Sequence, residues 1–497
     1  MSQDLSRRKM VIYIAGTAFC APLELYAQSV SLRPRSRPSS AIPSEIDRYV
    51  KHAELTGEVG VSAINLKSGN VIYGRNQNQS FAPASVLKVF TALYALEILG
   101  PSFRYSTQIL ADGPIKNGQL IGNLYLVGSG DPMLNTDHLF VLAKEVKAAG
   151  IRSVTGDLLY TGQNFPRISQ IDTLQPVQAG YNPSVSGLNL NFNRIYFEWT
   201  KSTANTKLRL DARGSKVFPT TNTIKIFPVR DQSPIYGYTE TADKEIWTVA
   251  NESLNSKGGV WLPVRKPERY CADIFSNLLG SFGINVGHKS LVSKLPILYP
   301  IASYDSIPMD KMLAHMLRYS INLTAESIGL TATQKSGGDA TSLASSASRM
   351  QLWAQQEFSL DTANFVDHSG LGDKSRITPS DLSSFLHKLF REKPEFLSLL
   401  RKIKPRDSSG KINASSELRI RAKTGTLNFV SSLAGYVIDG ANTPFAFTVM
   451  SQDLNRRTAA QNNNLKVTPK GSKRWNLRSR RLQHQILNTL SKKEFKR

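Results

Sequence analysis

Apolar residues crowd every side of the segment from Ala84 to Leu99: Val86, Leu87, Val89, Phe90, Leu93, Leu96, Ile98 and Leu99 recur until Gly100-Pro101 ends the run. A helix with no polar face belongs at the centre of a domain. Upstream, residues 44–55 carry a helical pattern, and VSAINLKSGNVIYGRN alternates as a hairpin about Lys67-Ser68-Gly69-Asn70. The character changes at residue 104. Short strand-like runs and turns fill the chain to about residue 300, with helical patterns only near 137–149 and 267–281. Helical periodicity returns in MDKMLAHMLRYS and INLTAESIGLTATQ, and Thr378-Pro379-Ser380-Asp381 is a strong helix start before DLSSFLHKLF. Three strand-like runs, LRIRAKTGTLNF, SSLAGYVIDG and PFAFTVMSQ, then predict an antiparallel meander. The order implies a split α/β core, residues 44–103 and 301–465, interrupted at 104–300 by a β-rich guest region of one or two small domains.

The two ends differ from this body. Residues 1–27 combine Arg7-Arg8-Lys9, the apolar run VIYIAGTAFCAPL and Leu25-Tyr26-Ala27, the order of a cleaved secretory signal. Leu5-Ser6-Arg7-Arg8-Lys9-Met10 resembles a twin-arginine signal. A membrane anchor is the competing reading, but Pro22 and Glu24 interrupt the apolar run and leave it short of the roughly 20 residues that span a bilayer. Residues 28–43 are a basic, Ser/Pro-rich flexible leader. At the other end, 466–497 holds eleven Lys+Arg and one acid, Glu494. Trp475, Leu482, Ile486 and Leu490 recur there at helical spacing, so a helix docks its apolar stripe on the core; its basic face is then either solvated or set against anionic lipid or wall material.

Composition narrows the chemistry. Of 497 residues, 40% are hydrophobic, enough for a large core, and 62 Lys+Arg against 38 Asp+Glu give a formal charge of +24. Export makes nucleic acid a poor partner for that surplus. Only Cys20 and Cys271 occur, and Cys20 leaves with the signal, so no internal disulfide is expected and Cys271 reads as a buried small hydrophobe. The seven histidines form no His-Glu-x-x-His pair, so neither metal nor cofactor is implied.

The candidate chemistry is a nucleophile with its base. Ser85-Val86-Leu87-Lys88 places a hydroxyl and an amine about one turn apart on one helix face. Burial penalises the ammonium, lowers its pKa and frees the amine to take the serine proton. Ser6-x-x-Lys9 and Ser408-x-x-Lys411 match the same spacing but lie in the signal and in a polar loop. Ser320-Ile321-Asn322 falls between two helical stretches, where its polar groups can face a cleft. Lys423-Thr424-Gly425-Thr426 ends a strand, where lysine and threonine can hold a carboxylate, the glycine admits the substrate backbone, and the following amide can pair with that of Ser85 as an oxyanion hole. Lys67-Ser68-Gly69 and Lys335-Ser336-Gly337 are turn chemistry instead. The ordered set Ser-x-x-Lys, Ser-x-Asn, Lys-Thr-Gly is what points to catalysis; no Gly-x-Ser-x-Gly elbow exists for an α/β-hydrolase.

With these motifs the chain resembles the low-molecular-mass class C penicillin-binding proteins, the D-alanyl-D-alanine carboxypeptidases/endopeptidases. GNLYLVGSGDPML, YNPSVSGLNLNFN and DHSGLGDKSRITP add to the likeness. It implies a penicillin-binding/β-lactamase-like catalytic domain, an antiparallel sheet flanked by helices. It also implies acylation of Ser85 by peptidoglycan peptides ending in D-Ala-D-Ala, with β-lactams as covalent inhibitors, in the periplasm. By the same likeness Lys88 is the base, Ser320 relays a proton, Asn322 orients the substrate amide, Lys423 and Thr424 bind the carboxylate, and the amides of Ser85 and Thr426 bind the oxyanion. Relatives carry an acidic pair where this chain has Thr161-Gly162, and Ser-Arg where it has Gly372-Asp373, positions tied to the free end of a diaminopimelate side chain. A β-lactamase shares the motifs but lacks the long insertion, and no carboxylate is evident here for a deacylating water. A non-catalytic wall-binding protein would not need all five motif side chains.

Overall fold

A computed structural model describes residues 41–162, 164–202, 206–441, 443–462 and 468–492, with the side chains of 41–43 excepted. The expected signal at 1–27 and most of the leader lie outside the described residues. Helix α1 (Ala41–His52) begins within the stretch read as leader. Pro43 causes no loss there, because the first turn of a helix has no use for its missing N–H.

One antiparallel sheet organises the core. We number its strands β1 (Glu58–Asn65), β2 (Val71–Arg75), β3 (Arg401–Ile403), β4 (Arg419–Leu427), β5 (Val430–Asp439) and β6 (Phe445–Gln452). Their spatial order is β3-β4-β5-β6-β1-β2. The expected hairpin and meander are both present, and β1 joins them by pairing with β6 from Glu58↔Gln452 to Asn65↔Phe445. Val59, Val61 and Ala63 on β1 face an apolar cluster with Ile46 of α1 and Leu482, Ile486, Leu487 and Leu490 of the C-terminal helix. On the opposite face Ser62 Oγ lies 2.5 Å from Ser383 Oγ. This strand is therefore buried on both sides, as period-two alternation between two helical layers requires.

The remaining helices are α2 (Lys88–Leu99), α3 (Thr136–Ala148), α4 (Pro267–Ser281), α5 (Met309–Tyr319), α6 (Asn322–Lys335), α7 (Leu343–Phe358), α8 (Pro379–Glu392), α9 (Leu454–Asn462) and α10 (Ser472–Lys492). Residues of α2 sit in one apolar cluster with residues of α5–α8, and Phe90 stacks on Phe385 at 4.1 Å. Thr378 caps α8 by accepting from the Asp381 amide at 3.0 Å. Between α2 and α5 the chain is β-rich, with α3 and α4 as its helices. Its largest sheet has five strands, and the first, Ser106–Ala111, pairs antiparallel with the last, Tyr299–Asp305. The chain thus leaves and re-enters the core at adjacent points, where the Ser306 amide donates to the Tyr105 carbonyl at 2.8 Å. Cys271 is fully buried on α4, and burial raises its thiol pKa far above the ordinary value.

Candidate active site

Ser85 is not in the first turn of α2 as its spacing suggested. Ala84–Leu87 form a 3-10 turn, and the α-helix proper starts at Lys88. Ala84 has φ 48°, a left-handed conformation that costs an alanine about 1–2 kcal/mol. The neighbouring chain holds it: a Cβ on Gly370 would lie 1.9 Å from the Ala84 carbonyl, so only glycine lets that segment close over the turn. Gly425 presses from another side, where an added Cβ would lie 2.7 Å from the Pro83 carbonyl and 3.1 Å from the Ser85 amide. The glycine of Lys-Thr-Gly therefore makes room for the protein's own nucleophile turn, where the sequence had suggested room for the substrate. Gly425→Ala is expected to slow acylation of Ser85 by up to about 10²-fold, since small misplacements of reacting groups have effects of that size; stopped-flow penicillin binding alongside a thermal melt would check it.

Lys88 is completely buried. Its Nζ donates to Ser85 Oγ at 3.1 Å, Asn322 Oδ1 at 2.8 Å and the Ser369 carbonyl at 2.6 Å. Burial pulls its pKa down from the lysine range, opposed by the charges of Glu326 and Asp367. Two of the three partners accept only. Once it has lost a proton, the neutral amine therefore keeps its remaining N–H groups on Asn322 and Ser369 and presents its lone pair to the Ser85 hydroxyl.

The two carboxylates beneath Lys88 carry no mark in the local sequence pattern. Glu326 stands one turn along α6 from Asn322 and accepts from the backbone amides of His368 and Ser369 at 3.0 and 2.9 Å. Burial raises its pKa, and Asp367 raises it further. Asp367 accepts from the amides of Gly370 and Gly372, and burial raises its pKa as well. The one available signal was the Asp367-His368-Ser369-Gly370 turn, whose backbone donors need acceptors. An ionised Glu326 favours the charged Lys88, so Glu326→Gln is expected to move the acid limb of the pH–rate profile toward lower pH; a shift toward higher pH would contradict that role.

Ser320 caps α5 in a left-handed conformation, φ 58°, and its Oγ accepts from Lys423 Nζ at 2.9 Å. Lys423 is also buried; desolvation foremost, then Lys88, lowers its pKa well below the usual value. Asn322 spends both ends of its amide within the protein, accepting from Lys88 and donating at 2.8 Å to the Tyr181 carbonyl of the insert. On β4, alternation buries Lys423 and Gly425 and exposes Thr424 and Thr426. Strand β3 pairs only with Ile420, Arg421 and Ala422, so β4 is an open edge from Lys423 onward.

Ser85, Ser320, Asn322, Thr424 and Thr426 line one cavity of about 630 Å³, joined by Gln175 and Tyr181 of the insert. Lys88 and Lys423 stand behind this wall. A larger cavity of about 840 Å³ lies in the insert beside the start of α4 and contains none of the motif residues. Thr161 and Gly162 are outside the motif cavity too; Gly162 packs against Gly187 and Glu268. Asp373 is paired with Arg457 of α9, a partner that sequence spacing did not suggest.

The sequence profile of the D-Ala-D-Ala carboxypeptidase 3 (S13) family matches residues 42–468. The chain belongs to this family. It is a serine-type D-alanyl-D-alanine carboxypeptidase with the α/β architecture of penicillin-binding proteins. A D-alanyl-D-alanine carboxypeptidase of Actinomadura sp. (strain R39) is 25% identical over 86% of this chain and 84% of its own length. The D-alanyl-D-alanine carboxypeptidase DacB of Haemophilus influenzae is 25% identical over 78% of this chain and 84% of its own. The crystal structure of penicillin binding protein 4 (dacB) from Haemophilus influenzae superposes with a TM-score of 0.72 at 21% identity, covering 90% of this chain and 99% of that one.

Proposed function

We propose that this carboxypeptidase works through an acyl-enzyme on Ser85, with Lys88 as the base. The observation that carries this is the fully buried Lys88 amine within 3.1 Å of Ser85 Oγ, on the wall of the cavity that Thr424 and Thr426 share. A peptide ending in D-Ala-D-Ala adds along the open edge of β4, its terminal carboxylate at Thr424 with Lys423 and Ser320 behind it. Lys88 takes the Ser85 proton as Oγ attacks the carbonyl between the two D-alanines. The amides of Ser85 and Thr426 hold the oxyanion, Ser320 passes a proton to the leaving amine, and water then releases the shortened peptide. Cleavage of a cross-link differs only in its leaving amine and is part of this proposal. So is export to the periplasm, supported by the Arg7-Arg8 leader.

No carboxylate lines the motif cavity among the described residues, and Glu326 is occupied by two backbone amides. Deacylation is therefore left to Lys88 alone, the base 3.1 Å from Ser85 Oγ that also serves the peptide acyl-enzyme, and the lack of a second, carboxylate base for penicilloyl hydrolysis favours a peptidase over a β-lactamase. The test is release of D-alanine from diacetyl-Lys-D-Ala-D-Ala together with the lifetime of a labelled penicillin adduct. We expect release and an adduct outlasting many peptide turnovers; rapid return of hydrolysed penicillin would sink the proposal. Contact of the tail with anionic lipid or wall is a further part of the reading, supported by the exposed Lys470 and Arg474. Lys470→Gln/Arg474→Gln should then weaken salt-sensitive retention on phosphatidylglycerol vesicles, and unchanged retention would discard it.

A further inference from the structure

The cavity of the insert, about 840 Å³, takes no part in the reaction at Ser85, yet five Lys or Arg line it against two acids, Asp243 and Glu268. The basic side chains gather around the first turn of α4, which starts at Pro267 with no side chain capping it. Arg167 reaches Glu268 of that turn through Nε at 2.6 Å. Its side chain is 54% exposed, and its two terminal nitrogens hydrogen-bond nothing among the described residues. Arg269 pairs through Nη1 at 2.9 Å with Asp243, which is exposed on the rim. Lys289 enters from the short strand Lys289–Leu291 and is held only loosely by Asp273 Oδ1, 3.7 Å away and one turn along α4 from Arg269. Arg265 and Lys266 complete the wall, but their side chains are taken by backbone carbonyls. Each acid of the lining is thus matched by one arginine, and donors are left over.

A guanidinium fork and an ammonium with N–H groups still to give, beside a helix start, suit a group with several terminal oxygens. A planar carboxylate would use the fork alone. The cavity is far larger than an isolated ion and falls within the range of small-molecule sites. Hydroxyls of Ser169 and Ser290 and the apolar Val185 and Leu291 line the rest of it. We propose that this cavity binds a phosphate monoester of sugar size. Arg167 and Lys289 hold the phosphate, Arg269 is a flanking cation, and the organic body lies against the serines and the apolar wall. The site contains none of the motif residues and does not depend on the Ser85 reading.

Calorimetric titration of the full protein tests it with three probes: glucose 1-phosphate, inorganic phosphate and glucose. We expect glucose 1-phosphate to saturate one site, phosphate to bind more weakly and glucose not to bind. Arg167→Gln/Lys289→Gln should weaken the ester at least about tenfold, as loss of charge-assisted hydrogen bonds does. Ser290→Glu, at an exposed position, should weaken it too by setting a carboxylate in the cavity. This second variant leaves Glu268 paired with Arg167, so it decides the matter if a thermal melt shows the first to be unfolded. A chain of charge +24 attracts phosphates over its whole surface, so an affinity that survives in the folded variants belongs to that surface and overturns the site. Failure of the ester to bind overturns it as well, and phosphate bound as tightly as the ester overturns the sugar-sized occupant.

Discussion

Lys88→Gln is expected to lower kcat/KM on a D-Ala-D-Ala peptide by about 10³–10⁴-fold, the upper range for loss of a positioned base. Glutamine is neutral and can still donate to Asn322 and the Ser369 carbonyl, but it has no lone pair of amine basicity for Ser85. The fold should survive. A lysine whose folded pKa lies below its unfolded value destabilises the protein at pH values below the ordinary lysine pKa and stops doing so above it. The variant should therefore melt no lower than the parent at pH 7. Loss of acylation with an unchanged melt is the expected pair; an active variant would remove Lys88 from the mechanism.

Ile486→Ala should have the largest effect on stability. This residue is fully buried on the inner stripe of α10, in the cluster that also holds Ile46 of α1 and Val61 of β1. Large-to-alanine changes at such sites cost about 2–5 kcal/mol. The loss should spread to activity. Gln483 Nε2 donates to Ser431 Oγ at 3.1 Å and Trp475 Nε1 to the Thr56 carbonyl at 3.1 Å, so α10 buttresses the sheet that carries Lys423–Thr426. Urea unfolding checks the first part and penicillin acylation the second. Full stability in the variant would mean that α10 merely rests on the sheet.

Sequence distance separates the legible features from the hidden ones. Ser85 and Lys88 are three residues apart, and Thr424 and Thr426 share a face by strand alternation, so local geometry alone was informative about them. The apolar stripe Trp475–Leu482–Ile486–Leu490 likewise predicted a docked helix, and all four residues are buried. Pairing of β1 with β6 was not legible, because register across almost four hundred residues leaves no local trace. Glu326 was missed because its partners are backbone amides in a distant turn, and Asp367 because it accepts from amides of its own turn while only the packing of that turn brings it to Lys88. The role of Gly425 was misread because the turn that crowds it, Pro83–Ser85, is over three hundred residues away. Arg457 gave no signal in a helix of otherwise ordinary polarity.

The most direct test is where a penicillin attaches. Digesting the adduct of the full protein and sequencing the labelled peptide by mass spectrometry should place the penicilloyl group on Ser85, with no labelled peptide from Ser85→Ala. A label on Ser320 or any other residue, or one that persists in Ser85→Ala, would contradict the assignment of the nucleophile on which the mechanism stands.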